Sequence, residues 1–306
     1  MHEGSLVYAI MIWNRRTRKN AATHNGTDME IEKMSSLTHK KFHTSSGEIC
    51  YRTNVFEPGR QTLVFLHGAA ADGRSFIPQA KAFFDVCNLL IWDMPAHGKS
   101  RPFPLTFTLE DAVTWLHEIL KAEGISKPVL VAHSMGGFIA QCFMQQYPGE
   151  TGGFVSIDSG PLQLHYMSKA ALWCLDRTEA MYRVFPWKVL LSLSARGNAE
   201  SRYGQRIMYR MLSELSKDDF CKLAGHDFKQ IAAAYRADLP YRIDCPCLLI
   251  CGRKDRTGFV KRYNKKWEKE TGLPMKWIEH AGHCANLDAP DEVNDLIRAF
   301  VAELPV

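Results

Sequence analysis

No apolar run in the sequence approaches the ~20 residues that a membrane-crossing helix needs. The stretch at residues 6–13 is too short, and its basic residues follow it instead of preceding it. No basic lead or small-residue cleavage site frames it, so neither an anchor nor a secretory leader is expected. Regular cysteine spacing is also missing. The nine cysteines are odd in number, and a chain of this size has no need of a disulfide framework, so free thiols in the cytoplasm are expected. Cys245, Cys247 and Cys251 run along an apolar strand without a Cys-x-x-Cys loop, and no metal is expected there. A concentrated charge of one sign is lacking as well. The formal net charge of +5 sits largely in two places, residues 1–41 and residues 161–240. The remainder is close to neutral, which gives no ground for nucleic-acid binding.

What is present suits a globular fold: 46% hydrophobic and 23% charged residues can build and solvate a core. Residues 1–36 are polar, basic and aperiodic, and read as a disordered extension; Met29 and Met34 are plausible internal starts. From Phe42 onward, strands and helices alternate. Strands are predicted at 48–53 (the first in a hairpin-like start), 62–67, 89–93, 128–132 and 154–158. Helices are predicted at 75–84, 109–123 and 135–147. In the second, Ala112, Trp115, Leu116, Ile119 and Leu120 share a face, with Thr108 as N-cap and Gly124 as stop. Residues 161–240 then read as helices without a strand. A strand at 247–252, a helix at 260–271, a strand at 275–278 and a helix at 291–303 complete the chain. Alternation of this kind predicts an α/β fold with a mostly parallel central sheet flanked by helices. The expected organisation is a core of residues 37–160 and 241–306, interrupted by a helical cap of residues 161–240.

The most informative segment is Val129–Ala140. An apolar strand runs directly into Ser134, and a helix begins at once. Such a turn holds a serine in a strained conformation with its hydroxyl exposed above the sheet. Residues two before and two after the serine must be small because strand and helix backbones cross closely; here they are Ala132 and Gly136. A plain tight turn would also use Gly136-Gly137. A phosphate-binding loop is disfavoured, because the Gly-x-Gly-x-x-Gly spacing is absent and no lysine follows.

Four further motifs occur with this turn, in chain order. His67-Gly68-Ala69 follows a strand, and Asp93-Met94-Pro95-Ala96-His97-Gly98-Lys99-Ser100 follows the next. Gly252-Arg253-Lys254-Asp255 follows a late strand, and Ala281-Gly282-His283 precedes Leu287 and Pro290. Together they resemble the α/β-hydrolase family over residues 42–303. Ala96 and Ala132 stand where that family usually has glycine. The resemblance implies a catalytic triad of Ser134, Asp255 and His283, and backbone N–H groups of Ala69 and Met135 as an oxyanion hole. A serine hydroxyl needs a base to take its proton during attack. His283 is assigned that role, with Asp255 fixing the imidazole tautomer. The rivals are His280 for the base and Asp158, at the end of a strand, for the acid. His67, His97 and His133 read as structural. An aspartate nucleophile is excluded because position 134 is serine.

The helical stretch carries Tyr166, Trp173, Tyr182, Trp187 and Tyr209, which serve either as core or as the lining of an apolar acyl pocket. Arg202, Arg206 and Arg210 recur every fourth residue. They form a solvated face or a site for a carboxylate, a phosphate or an acidic membrane surface. The expected activity is hydrolysis of a small to medium carboxylic ester, or a related acyl compound, through a Ser134 acyl-enzyme. No cofactor and no metal is expected. The alternatives are carbon–carbon bond cleavage by the same triad and ligand binding without catalysis.

Overall fold

The computed structural model describes residues 36–305. The expectation of a disordered segment over residues 1–36 therefore lies, apart from Ser36, outside the described residues. β1 (Thr38–Thr44) and β2 (Gly47–Thr53) form an antiparallel hairpin, and β2 lies antiparallel on β4 (Asn88–Trp92). All later pairings are parallel, through β3 (Thr62–Leu66), β5 (Val129–His133), β6 (Gly153–Ile157), β7 (Cys247–Gly252) and β8 (Met275–Ile278). The eight strands stand in the order β1-β2-β4-β3-β5-β6-β7-β8. The α/β fold and mostly parallel sheet anticipated from the sequence are present.

The central strands are almost entirely buried because helices cover both faces, as a parallel sheet requires. Alternate residues divide between two cores. Val64, Leu66, Leu130 and Ala132 enter one, while Leu63, Phe65, Val129 and Val131 enter the other. The helix at 75–84 is realised as a 3-10 turn at Gly73–Phe76 followed by α1 (Ile77–Phe83). α2 (Leu109–Ala122) starts at Thr108, whose hydroxyl accepts the Asp111 N–H while Asp111 accepts the Thr108 N–H. It stops before Gly124 at φ +67°. Of its predicted face, Trp115 alone is only half-buried.

α3 (Met135–Gln146) follows β5 without a loop. Between β6 and β7 lie α4 (Lys169–Asp176), α5 (Thr178–Arg183), α6 (Trp187–Asn198), α7 (Arg202–Ser213) and α8 (Lys217–Ala237), with no intervening strand among the described residues. The chain ends in α9 (Val260–Thr271), a short α10 (Ala285–Asp288) not anticipated from sequence, and α11 (Pro290–Ala302). The helical segment is tied to the body by polar contacts. Arg74 pairs with Glu214, and the Asp288 carboxylate accepts the N–H groups of Glu200 and Ser201. Among the described residues, no helix is long and apolar enough to cross a membrane. All nine cysteines are free thiols.

Candidate active site

β3 lies between β4 and β5, so the chain winds away from β3 in both directions. The crevice beyond the strand C-termini at such a reversal is where open α/β sheets collect ligands. Ser134 stands there, at the end of β5.

Its backbone is at φ 50°, ψ −117°, a conformation non-glycine residues avoid. Neighbouring bonds hold it: the Ser134 N–H donates to Ile157 O at 2.9 Å, and the Gly137 N–H donates to Ser134 O at 2.9 Å. The small residues around it are explained by contact. A Cβ on Gly136 would sit 2.0 Å from Leu66 O, and one on Gly137 would sit 2.3 Å from Ser159 Oγ. Ala132 is fully buried between Leu66 and Ser156 on the neighbouring strands, with its methyl group in the core.

Two loops converge on the serine. His283 Nε2 lies 2.8 Å from Ser134 Oγ, and His283 Nδ1 lies 2.9 Å from Asp255 Oδ2. A carboxylate can only accept, so Nδ1 carries a hydrogen and Nε2 is left to accept the serine proton. Burial opposes the imidazolium, but the Asp255 carboxylate outweighs it, and the His283 pKa is raised. Asp255 is itself fixed, its Oδ1 accepting the Thr257 N–H at 2.7 Å. The acid and histidine loops touch so closely that a Cβ on Gly252 would lie 2.1 Å from Gly282 O. Of the sequence-level rivals, His280 is exposed to solvent. Asp158 is fully buried and accepts two backbone bonds, from Gly252 N–H at 2.7 Å and Ala285 N–H at 2.8 Å. It thus clamps the loops that carry Asp255 and His283. Burial, then the nearby Asp255, push its pKa well above the carboxylate range.

The two candidate oxyanion donors flank Ser134. Met135 opens α3, where N–H groups have no intrahelical acceptor. Ala69 follows β3 in a turn closed by Ala71 N–H to Gly68 O at 3.2 Å. Among the described residues, neither N–H has an intramolecular acceptor. A side chain at Gly68 would be tight, since its Cβ would fall 3.1 Å from Ser134 Cβ.

The three histidines read as structural take buried positions around this centre. His67 accepts the Met94 N–H at Nε2 (2.9 Å) and donates from Nδ1 to Gly68 O (2.9 Å). His133 Nε2 bonds to His283 O. His97 lies 3.0 Å from Asp227 of α8, a residue with no sequence signal because the pair spans 130 positions. Ala96, in the same loop, has φ +67°, which accounts for the glycine usual there. Arg202, Arg206 and Arg210 lie on the exposed face of α7. The strand cysteines do not form a ligand cluster. Among the described residues, the group with ligand atoms within 4.8 Å of one another is Asp158, Cys251 and Asp255. Its two carboxylates are committed to backbone N–H groups and, for Asp255, to His283.

A buried parallel sheet with a serine at its reversal, faced by a histidine and a carboxylate from later loops, defines the class of fold to which the comparisons lead. The chain belongs to the alpha/beta hydrolase family, whose model matches residues 63–296. It is 42% identical over 260 residues to the 2-succinyl-6-hydroxy-2,4-cyclohexadiene-1-carboxylate synthase of Yersinia enterocolitica, a match covering 79% of this chain and 86% of that one. It is 25% identical over 262 residues to the (E)-2-((N-methylformamido)methylene)succinate hydrolase of Acinetobacter baylyi, covering 82% and 95% of the two chains. A thermophilic esterase from Thermogutta terrifontis, solved with malate bound, superposes with a TM-score of 0.70 at 17% identity, over 87% of this chain and 98% of that one.

Proposed function

We propose that the protein is a serine hydrolase of carboxylic esters or related acyl compounds. The observation that carries this reading is the continuous chain Ser134 Oγ–His283 Nε2 and His283 Nδ1–Asp255 Oδ2, at 2.8 Å and 2.9 Å. In the proposed reaction His283 takes the Ser134 proton as Oγ attacks the carbonyl carbon. The N–H groups of Ala69 and Met135 receive the oxyanion; losing one such donor typically costs ~3 kcal/mol of transition-state stabilisation. The imidazolium, steadied by Asp255, then protonates the leaving group. Water repeats the sequence on the acyl-enzyme. The helical segment 161–240 serves as a cap over this centre, and Ala70, which adjoins the oxyanion loop, is bonded to its Asp227.

A second reading is cleavage or formation of a carbon–carbon bond with the same triad. It is kept because a relative 42% identical is named as a synthase and not as a hydrolase. One experiment separates the two. The protein and its Ser134→Ala variant are treated with a fluorophosphonate probe and assayed on p-nitrophenyl esters and on vinylogous diketones. Labelling and ester turnover that vanish in Ser134→Ala are expected. Absence of both in the wild type would sink the serine-hydrolase reading, and turnover confined to the diketones would move it to carbon–carbon chemistry.

A further inference from the structure

Asp288 ends the short helix α10 and accepts three backbone N–H groups with its two oxygens. Oδ2 takes those of Gly282 at 2.8 Å and Glu200 at 2.9 Å, and Oδ1 takes that of Ser201 at 2.7 Å. Gly282 precedes His283 in the histidine loop, whereas Glu200 and Ser201 lie in the turn between α6 and α7. One carboxylate thus joins the helical segment to the loop that presents the candidate base. Bonds to an ionised acceptor are about twice as strong as neutral ones.

Their importance lies in the peptides they hold. A trans peptide carries its C=O and N–H on opposite edges, so bonding both fixes its rotation. The Ala281–Gly282 peptide is bonded in this way. Its carbonyl accepts the Lys254 N–H of the acid loop at 2.9 Å, and its N–H donates to Asp288. So is the His283–Cys284 peptide: its carbonyl faces His133 Nε2, and its N–H donates to Asn198 O, at the end of α6, at 2.8 Å. His283 therefore stands between two fixed peptides, and both N–H groups lead to residues 198–201, one directly and one through Asp288. Gly282 fits against the same turn, since an added Cβ would lie 3.2 Å from Glu200 Cγ and 3.3 Å from Asp288 Oδ2. Without Asp288 the first peptide keeps only its carbonyl bond, and Gly282, lacking a Cβ, adds no steric preference to hold it. The imidazole has to meet Ser134 Oγ at 2.8 Å and Asp255 Oδ2 at 2.9 Å together, which leaves little room for movement.

We propose that Asp288 is a positioning residue: by fixing the Ala281–Gly282 peptide against the turn at residues 198–201, it sets the direction in which His283 presents its ring to Ser134 and Asp255. This rests on the serine-hydrolase reading and adds a residue outside the triad to it.

The test compares wild type, Asp288→Ala and a control, Thr108→Ala, which removes the N-cap of α2 and is destabilised outside the site. Each is assayed for kcat and KM on a p-nitrophenyl ester, for the pH dependence of kcat/KM, and for stability in urea. For Asp288→Ala, kcat falls by about 10- to 100-fold with KM little changed, as expected for a displaced reacting group. The acid limb of kcat/KM, which reports the base of the free protein, moves to lower pH. Burial lowers the His283 pKa, while Asp255 and then Asp158 raise it to a net increase. A ring turned from Asp255 loses the larger of the two raising effects. His133, also packed against the ring, is kept neutral by burial. Asp288 is not among the groups acting on the imidazole, so the limb reports ring orientation. Thr108→Ala loses stability with kcat and the limb unchanged. Should Asp288→Ala not fold, Asp288→Leu takes its place, because it keeps the branched outline of the side chain without an acceptor. A folded Asp288 variant with wild-type kcat, or with a lower kcat and an unmoved limb, overturns the proposal. A wild type with no Ser134-dependent turnover or labelling is a different result: it removes the underlying reading and this inference with it.

Discussion

His133 Nε2 lies 2.7 Å from the carbonyl oxygen of His283, so the residue before the candidate nucleophile holds the backbone of the residue that faces it. The carbonyl can only accept, which puts the His133 hydrogen on Nε2 and leaves Nδ1 bare and unpartnered. Gly68 packs against that nitrogen, where a Cβ would be 3.0 Å away. One imidazole thus spaces the candidate oxyanion loop, the serine turn and the histidine loop.

His133→Ala removes this spacer. The His283 carbonyl loses its buried donor, and the histidine loop is free to shift relative to Ser134. We expect a stability loss of about 2 kcal/mol, measured by urea unfolding. A decrease in ester kcat of at least about tenfold should accompany it, because small misplacements of reacting groups are costly. A variant with full kcat would show that the tether does not orient His283.

The buried histidines also set an acid limit. Burial and then the neighbouring His97 lower the His67 pKa to about 4, and burial and then His283 lower that of His133 to about 3. Unfolded imidazoles titrate near 6.5. Between these values the unfolded chain binds protons that the folded chain refuses, so these two groups lower stability as pH drops from about 6.5 toward 4, against a single opposing contribution from Asp158, whose raised pKa makes the folded chain the better proton acceptor. Each group contributes ~1.4 kcal/mol per pH unit in that window. His97 and His283 are shifted upward. Their stabilisation is complete below the unfolded value and is lost only at higher pH, so they do not cancel this slope. Urea midpoints at about pH 5 and about pH 7, in wild type and His133→Asn, check the prediction. The variant should have the shallower dependence, and equal slopes would refute the assignment.

Two glycines give opposite outcomes on substitution. Gly136→Ala drives a methyl group into the Leu66 carbonyl. It should cost about 3 kcal/mol or more, because the atom it meets is backbone that cannot swing aside. Gly197→Ala, in α6 with nothing within 4 Å of the added Cβ, should stabilise by about 0.5 kcal/mol through helix propensity. Thermal unfolding of both variants by circular dichroism decides the matter. Similar melting temperatures would contradict the close crossing at Gly136.

The two strand-end aspartates are separable by their kinetic signatures. Asp255→Asn should lower kcat by about ten-thousandfold with the fold intact, because His283 loses the partner that fixes its tautomer. Asp158→Asn should act on stability first. Its amide nitrogen would confront one of the two backbone N–H groups that the carboxylate now accepts, at a cost of about 2 kcal/mol. If Asp158→Asn instead abolished turnover at unchanged stability while Asp255→Asn did not, the acid would have to be reassigned.

The fold was readable because its signals are local. Strand and helix periodicity, the Thr108 cap and the Gly124 stop lie within a few residues of what they control. The start of β1 at Thr38, the short helix α10 and the 3-10 turn before α1 are not legible in the sequence: β1 is mostly exposed with little apolar alternation, and the other two span four residues each, too few to show a helical period. Among the candidate site residues, Ser134 is signalled by the strand and small residues around it, whereas Asp255 and His283 are named by resemblance. Asp158 was legible only as a rival acid, and its clamping of Gly252 and Ala285 was not. Asp227 carried no signal at all.

The sequence by itself determined the alternation of elements, the serine turn and the order of the residues assigned to it, because short-range sterics and hydrophobic periodicity are written residue by residue. Tertiary structure alone decided which buried groups share a proton, where the Asp158 and Asp227 carboxylates find their N–H partners, and that His280 faces solvent while His283 faces Ser134. Those outcomes depend on chain segments up to 157 positions apart being brought within hydrogen-bond distance. Burial then gives such contacts an electrostatic weight that they would lack in water.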